Sequence, residues 1–227
     1  MANKYLALWR ETKEKLLFPF YDIGENRHKL VGNAKNWKFK RDFQISFLLQ
    51  QGLKKDQEFI DIGCGTLRGG IPIIDYLDAG KYTGIDSRVE VIDEGKKELK
   101  EVELEYKNPD LMTISDLDKI NLAKKFDIAW SFSVLIHMSN EELHKCMAFI
   151  ARHLAAGGTF FANVNTHNNP DGYWKGFPLV HRPVAFYSEV ANHHGLQCSE
   201  VGQLKKFGHR LNIPTQDNQE MLAFRLL

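Results

Sequence analysis

The residues best suited to chemistry crowd into one stretch, Phe59-Ile60-Asp61-Ile62-Gly63-Cys64-Gly65-Thr66-Leu67-Arg68-Gly69-Gly70. A short apolar run there enters a glycine-rich turn. Glycines between a buried strand and a helix let the backbone come close to a ligand, and the helix start offers unpaired N–H groups. Asp86 ends the next apolar run, Lys81–Asp86, about 20 residues further on. A carboxylate at that place can accept both hydroxyls of a ribose. The bland alternative, a tight turn with Asp61 as a helix cap, explains the glycines but not the spaced second acid. The pattern therefore predicts a nucleoside-containing cofactor across the strand tips.

Asp61 narrows the choice of cofactor. It stands two residues before Gly63, where its carboxylate would repel a pyrophosphate, and Arg68 occupies the third position of a dinucleotide GxGxxG fingerprint. S-adenosylmethionine carries no phosphate, and its α-amino group and sulfonium favour a nearby acid. The residues thus point to S-adenosylmethionine over NAD, and an NAD-linked oxidoreductase is disfavoured.

Nine histidines supply candidates for a base near neutral pH. His137 follows the Phe126–Phe132 run, His167 follows Gly158–Val164, and His181 lies in the aromatic and basic segment Trp174–Arg182. Each could take a proton from a hydroxyl, and each has a plainer reading, as strand-edge packing for His137 and as polar loop for the others. Tyr173, Trp174 and Phe177 could stack on a sugar or aromatic acceptor, or anchor the loop. His144, His153, His193 and His194 fall in helical stretches and read as surface residues. No convergent carboxylate set follows the fourth and fifth strands beyond Asp171, so no metal ligands are assigned.

These residues need elements to position them. Phe39, Phe43 and Phe47 lie four apart before Gly52, predicting a helix over 35–51, and a second amphipathic helix is predicted over 3–17. Strands are predicted at 58–62, 81–86, 111–115, 126–132, 158–164, 197–202 and 221–226. Helices are predicted at 67–76, 89–104, 141–154 and 184–194, with Pro72 tolerable only in a first turn. Alternation of this kind implies a parallel sheet covered on both faces. With apolar residues at 43% of the chain, a large core needs no disulfide staples. The 30 basic and 29 acidic residues give +1, which argues against a phosphate-backbone binder. No run approaches the ~20 apolar residues of a membrane span, and the early charges of MANKYLALWRETKEK do not suit a secretory signal. Three widely spaced cysteines without a CxxC pair fit a reducing, cytoplasmic setting.

The chain resembles the class I S-adenosylmethionine-dependent methyltransferases. Phe59–Gly65 resembles their first motif and Tyr82–Asp86 their acidic second strand. Phe126–Ser131 with Val134–Met138 resembles their fourth strand and its loop, and Leu154–Val164 the approach to their fifth. Within the family it is most similar to bacterial enzymes with a GCGxLRGG loop, some of them modifying glycans or capsules. The sequence departs at Thr66-Leu67-Arg68, where many members carry a small-residue TG. The resemblance implies a Rossmann-like α/β fold with a mostly parallel seven-stranded sheet, helices on both faces and an N-terminal helical extension. It covers residues 39–227 and leaves 1–38 as an extension or cap.

By the same resemblance, Gly63, Cys64 and Gly65 give backbone contacts to the methionine part, and Asp61 sits under its amino group. Asp86 holds the ribose, Ser87 and Arg88 lie beside the adenosine, and Ser131 and Phe132 border the sulfonium. Asp116 reads the adenine amino group or is a turn acid; Phe132 is equally explained as core; Arg68 reaches a carboxylate of cofactor or substrate, or pairs with a surface acid. The function implied is methyl transfer to a small molecule or saccharide, at oxygen. RNA or protein methylation, with Lys35, Lys38, Lys40 and Arg41 as a basic patch, and a non-catalytic cofactor-binding module are the alternatives.

Overall fold

The computed structural model describes residues 27, 30–166, 169–174 and 176–227. The helix expected over 3–17 lies outside them. Seven strands form one sheet: β1 (Phe59–Ile62), β2 (Tyr82–Asp86), β3 (Asp110–Thr113), β4 (Phe126–Ser131), β5 (Leu154–Val164), β8 (Leu196–Gln203) and β9 (Glu220–Leu226). Their order is β3-β2-β1-β4-β5-β9-β8. The first five run parallel, and β9 lies antiparallel between β5 and β8. The order reverses beside β1, so β1 and β4 open a crevice beyond their C-terminal ends, where ligands bind in such sheets.

Side-chain alternation divides the core into two layers. Phe59, Tyr82, Ile128 and Trp130 face α1 (Trp37–Gln50), α2 (Gly70–Tyr76) and α3 (Val89–Glu101). Ile60, Ile85, Ala129 and Phe160 face α4 (Asn140–His153) and α5 (Val184–His193). Helix α1 packs deeply: Phe47 stacks on Trp130 at 5.5 Å, and the Trp130 indole donates to Gln44 Oε1 at 3.0 Å. A capping box starts α4, with Ser139 Oγ accepting from the Glu142 N–H and the Glu142 carboxylate accepting from the Ser139 N–H.

Several boundaries differ from expectation for identifiable reasons. Helix α2 begins at Gly70, not Leu67, because Leu67 sits in the left-handed region at φ 60°. Pro72 is then its third residue, inside the first turn as required. Strand β5 starts at Leu154, directly where α4 ends. A short hairpin, β6 (Gly172–Trp174) and β7 (Phe177–Leu179), and a one-turn helix, α6 (Pro214–Asp217), are additions that the sequence pattern did not signal. The Gly–Tyr–Trp and Phe–Pro–Leu runs are too short for alternation to register.

Candidate functional site

A cavity of about 1410 Å³ opens beyond the C-terminal ends of β1, β2 and β4. Its floor at one end is the β1–α2 turn. Gly63 (φ 75°) and Gly65 (φ 56°) both adopt left-handed backbone. A Cβ on Gly63 would overlap the Val134 side chain, and one on Gly65 would come 2.7 Å from Val31 Cγ1. Gly63 and Cys64 donate their N–H groups to Ile85 O, and Gly65 donates to Asp86 Oδ2 at 3.0 Å. These three N–H groups are committed within the fold, so a ligand ammonium would meet this backbone through its carbonyls. None of the three N–H groups is spare for a phosphate.

Asp61, on β1 beneath the turn, accepts a hydrogen bond from the Tyr82 hydroxyl at 2.8 Å. Burial pushes its carboxyl up to about 7, aided by Asp86; the Tyr82 bond and Arg68 oppose that rise. Arg68 is buried, donates to Val31 O at 2.8 Å, and keeps a buried Nε without a partner. Burial lowers its guanidinium to about 10. It pairs with no surface acid among the described residues. Cys64 is buried against the cavity, its thiol raised by burial and by Asp61 and Asp86.

Asp86 accepts from Gly65 and, through Oδ1, from the Arg88 N–H at 3.0 Å and Nε at 3.3 Å. A carboxylate offers about four lone-pair sites, so one, on Oδ2, remains for a ribose hydroxyl. Ser87 and Arg88 line the same wall, and the Arg88 guanidinium lies 5.5 Å over the Phe177 ring of the β6–β7 hairpin. Asp116 also lines the cavity, and it caps a 3-10 turn by accepting from the Asp118 N–H at 3.1 Å. Both of its expected readings are therefore compatible with its place.

Phe132 reaches the cavity while packing on Trp130 at 5.7 Å, so it is core and wall together. Ser131 does not reach it. The residue is fully buried, and its hydroxyl donates to Ile62 O, tying β4 to β1. Alternation along β4 accounts for this, because consecutive residues face opposite ways.

The opposite end carries His137, in a 3-10 turn after β4. Its Nδ1 lies 2.6 Å from Pro178 O, a carbonyl that can only accept, so the proton sits on Nδ1 and Nε2 is the basic nitrogen. The ring stacks on Trp174 at 5.9 Å and touches Phe177 at 6.0 Å. Burial lowers its pKa, which keeps the imidazole neutral. His181 lines the cavity with a buried, unpartnered Nδ1. His167 falls outside the described residues. Trp174 and Phe177 line the cavity, whereas Tyr173 is 80% exposed and does not. Asp171 bonds Arg182 at 2.7 Å and the His181 N–H, closing the hairpin's base.

Several residues in the wall or behind it were not read as site residues from the sequence. Lys40 of α1, read there as part of a basic surface, lines the cavity, and burial and Arg68 lower its ammonium to about 7. Asn163 Nδ2 donates to Gln219 Oε1 at 2.7 Å, and Gln219 Nε2 to Asn165 Oδ1 at 2.8 Å, a buried amide chain under the histidine end. His209, behind Phe132, has Nδ1 2.9 Å from Asp217 Oδ1; burial lowers it to about 4. Amides and lysines carry no motif, and these come from segments far apart in the chain.

A family model described as "Methyltransferase domain" matches residues 60–160. No curated protein matches the chain in sequence. Among solved structures, magnesium protoporphyrin IX methyltransferase from Synechocystis PCC 6803, with bound SAM, superposes with a TM-score of 0.63 at 16% identity, covering 99% of this chain and 97% of that one. An S-adenosylmethionine-dependent methyltransferase from Clostridium acetobutylicum ATCC 824 gives 0.62 at 15% identity, over 99% and 98%. The glycopeptide N-methyltransferase MtfA, complexed with sinefungin, gives 0.63 at 12%, over 81% and 92%. The chain has the class I S-adenosylmethionine-dependent methyltransferase fold.

Proposed function

We propose that this chain is an S-adenosylmethionine-dependent methyltransferase that methylates a small molecule or saccharide at a hydroxyl oxygen. The observation that carries the reading is a single cavity with an acid–glycine–acid end and a tautomer-fixed histidine end. Its volume exceeds the ~300–1,000 Å³ that holds one drug-sized ligand, leaving room for cofactor and acceptor together.

The residues present fit the cofactor. An amino-acid end needs an acid for its ammonium and a cation for its carboxylate; Asp61 and Arg68, the latter with an unpartnered buried Nε, line the same wall. Asp86 would hold the ribose, and Asp116 would stand beside the base. When bound, the cofactor supplies an electrophilic methyl group with a neutral thioether as leaving group. Trp174, Phe177 and Leu179 wall off water and seat the acceptor. His137 Nε2 accepts the hydroxyl proton as the oxygen attacks, while Pro178 O steadies the imidazolium through Nδ1–H. His181 and His167 are the second candidates for that proton.

Similar folds occur in proteins named for a porphyrin and for a glycopeptide, which supports a discrete acceptor over a nucleic-acid strand. The glycopeptide enzyme is named an N-methyltransferase, so the choice of oxygen rests on His137 alone. The test is transfer of labelled methyl from S-adenosylmethionine into small-molecule, glycan, RNA and protein fractions. Label in the first two supports the reading. Label confined to RNA or protein, or tighter binding of NAD than of S-adenosylhomocysteine, overturns it.

A further inference from the structure

We propose that His144, His193 and His194 form a binding site for a divalent transition-metal ion that pins α4 to α5. None of the three lines the methyl-transfer cavity. His144 projects from the first turns of α4, while His193 ends α5 and His194 caps it. Each ring offers a nitrogen, and these ligand atoms all lie within 4.8 Å of one another.

The spacing is that of a coordination sphere on the side where it can be read atom by atom. His144 Nδ1 and His194 Nε2 stand 3.1 Å apart. Two nitrogens at ~2.0–2.1 Å from one tetrahedral ion are about 3.3–3.4 Å apart. A shift of a few tenths of an ångström, with the donor ring of the pair moving its proton to its other nitrogen, converts the hydrogen-bonded pair into two ligands. The rings meet edge to face, at 86° for His144–His193, 69° for His144–His194 and 85° for His193–His194. Such crossed planes let three lone pairs converge without the rings colliding.

The surroundings favour a cation on balance. The site sits at the C-terminal end of α5, where the helix dipole is negative. The Asp118 carboxylate acts on His194 from the turn after β3, and Arg152 opposes it. Three imidazoles select zinc, nickel or copper over magnesium or calcium, which take oxygen ligands. Three protein ligands leave a fourth position for water.

The experiment is titration of the metal-stripped full chain with zinc chloride against a chromophoric chelator, with magnesium chloride as control. One equivalent of zinc should bind, and it should raise the melting temperature, as any ligand selective for the native state does. His144→Ala and His194→Ala should each weaken zinc binding at least about tenfold, the lower end of what disturbing a metal shell costs. His193→Gln, at an exposed position, is the variant least able to disturb folding, and it should do the same. S-adenosylhomocysteine affinity should stay unchanged in all three. Parent-like zinc binding in the folded variants, or no stoichiometric binding by the parent, overturns the proposal.

Discussion

Glycine, backbone and two acids make up one end of the cavity, all within β1, β2 and the turns that leave them. The other end is drawn from α1, the turn after β4, the β6–β7 hairpin and the stretch before β9, and it meets the ligand with side chains. The first end is tied to β2 by hydrogen bonds from the turn: the Gly63 and Cys64 N–H groups donate to the Ile85 carbonyl, and the Gly65 N–H donates to the Asp86 carboxylate. The second is latched by single contacts between distant segments, as when the Val180 N–H donates to Ile136 O and His137 to Pro178 O. A cofactor common to many reactions suits the rigid end, and an acceptor particular to one reaction suits the end whose side chains can change without disturbing the sheet.

The sharpest way to separate the two ends is His137→Ala. It should lower kcat by ~10²–10⁴, the usual cost of losing a general base, with cofactor affinity kept. Because burial lowers the His137 pKa below its ordinary 6.5, the parent's rate should be level above that pH and fall only in more acid solution. A loss below threefold would make His137 a packing residue and move the acceptor atom toward nitrogen or sulfur.

Asp86→Ala should act at the opposite end, weakening S-adenosylhomocysteine binding by about 1–3 kcal/mol, the scale for unpairing charge-assisted bonds. It should leave the acceptor KM alone. Calorimetry giving parent-like affinity in a folded variant would place the ribose elsewhere.

Asp61 offers a pH test of the same end. Its carboxyl, at about 7 in the ligand-free chain, is protonated below neutrality. A cationic ligand prefers the ionised form, so affinity should fall by up to about tenfold per pH unit below 7 and level off above it. Stability runs the other way. A folded pKa raised above the ordinary 3.8 means that the empty fold loses stability as pH climbs from there toward 7. Asp61→Asn should flatten both profiles, and curvature surviving in that variant would exclude Asp61 as the cause.

The smallest expected effect grades the hairpin. Trp174→Ala should raise the acceptor KM by a few-fold, since a stacking ring is worth ~0.5–1.5 kcal/mol, and Tyr173→Ala should not. Equal effects would mean that the hairpin acts as a whole and not through the faces that line the cavity.

The same contrast explains what could be read from the chain in advance. The strand–glycine–helix segment and Asp86 are local, so spacing alone revealed them, and the alternation of strands and helices gave the sheet. Lys40, Gln219 and the Asn163–Asn165 pair were illegible because their chemistry arises only when residues far apart in sequence meet. Ser131 was misplaced toward the cavity because a β-strand's two faces differ by one position. His153, read as a surface residue, is buried, with Nδ1 donating to Phe149 O and Nε2 accepting from the Leu122 N–H. Its helix turns that position inward, and both ring nitrogens find backbone partners.

Strand β9 imposes an order on synthesis. It leaves the ribosome after every other described strand of this sheet, yet it lies inside the sheet, pairing β5 on one side and β8 on the other. Until residues 220–226 emerge, β5 presents an open edge carrying Phe160, Ala162 and Val164, and β8 has no strand to join. The parallel strands β1 to β5 can assemble while the chain is still being made, but the sheet closes only once residues 220–226 have followed them. The nascent protein therefore passes through a state with an apolar, unpaired edge, the kind of surface that chaperones hold and that aggregation exploits.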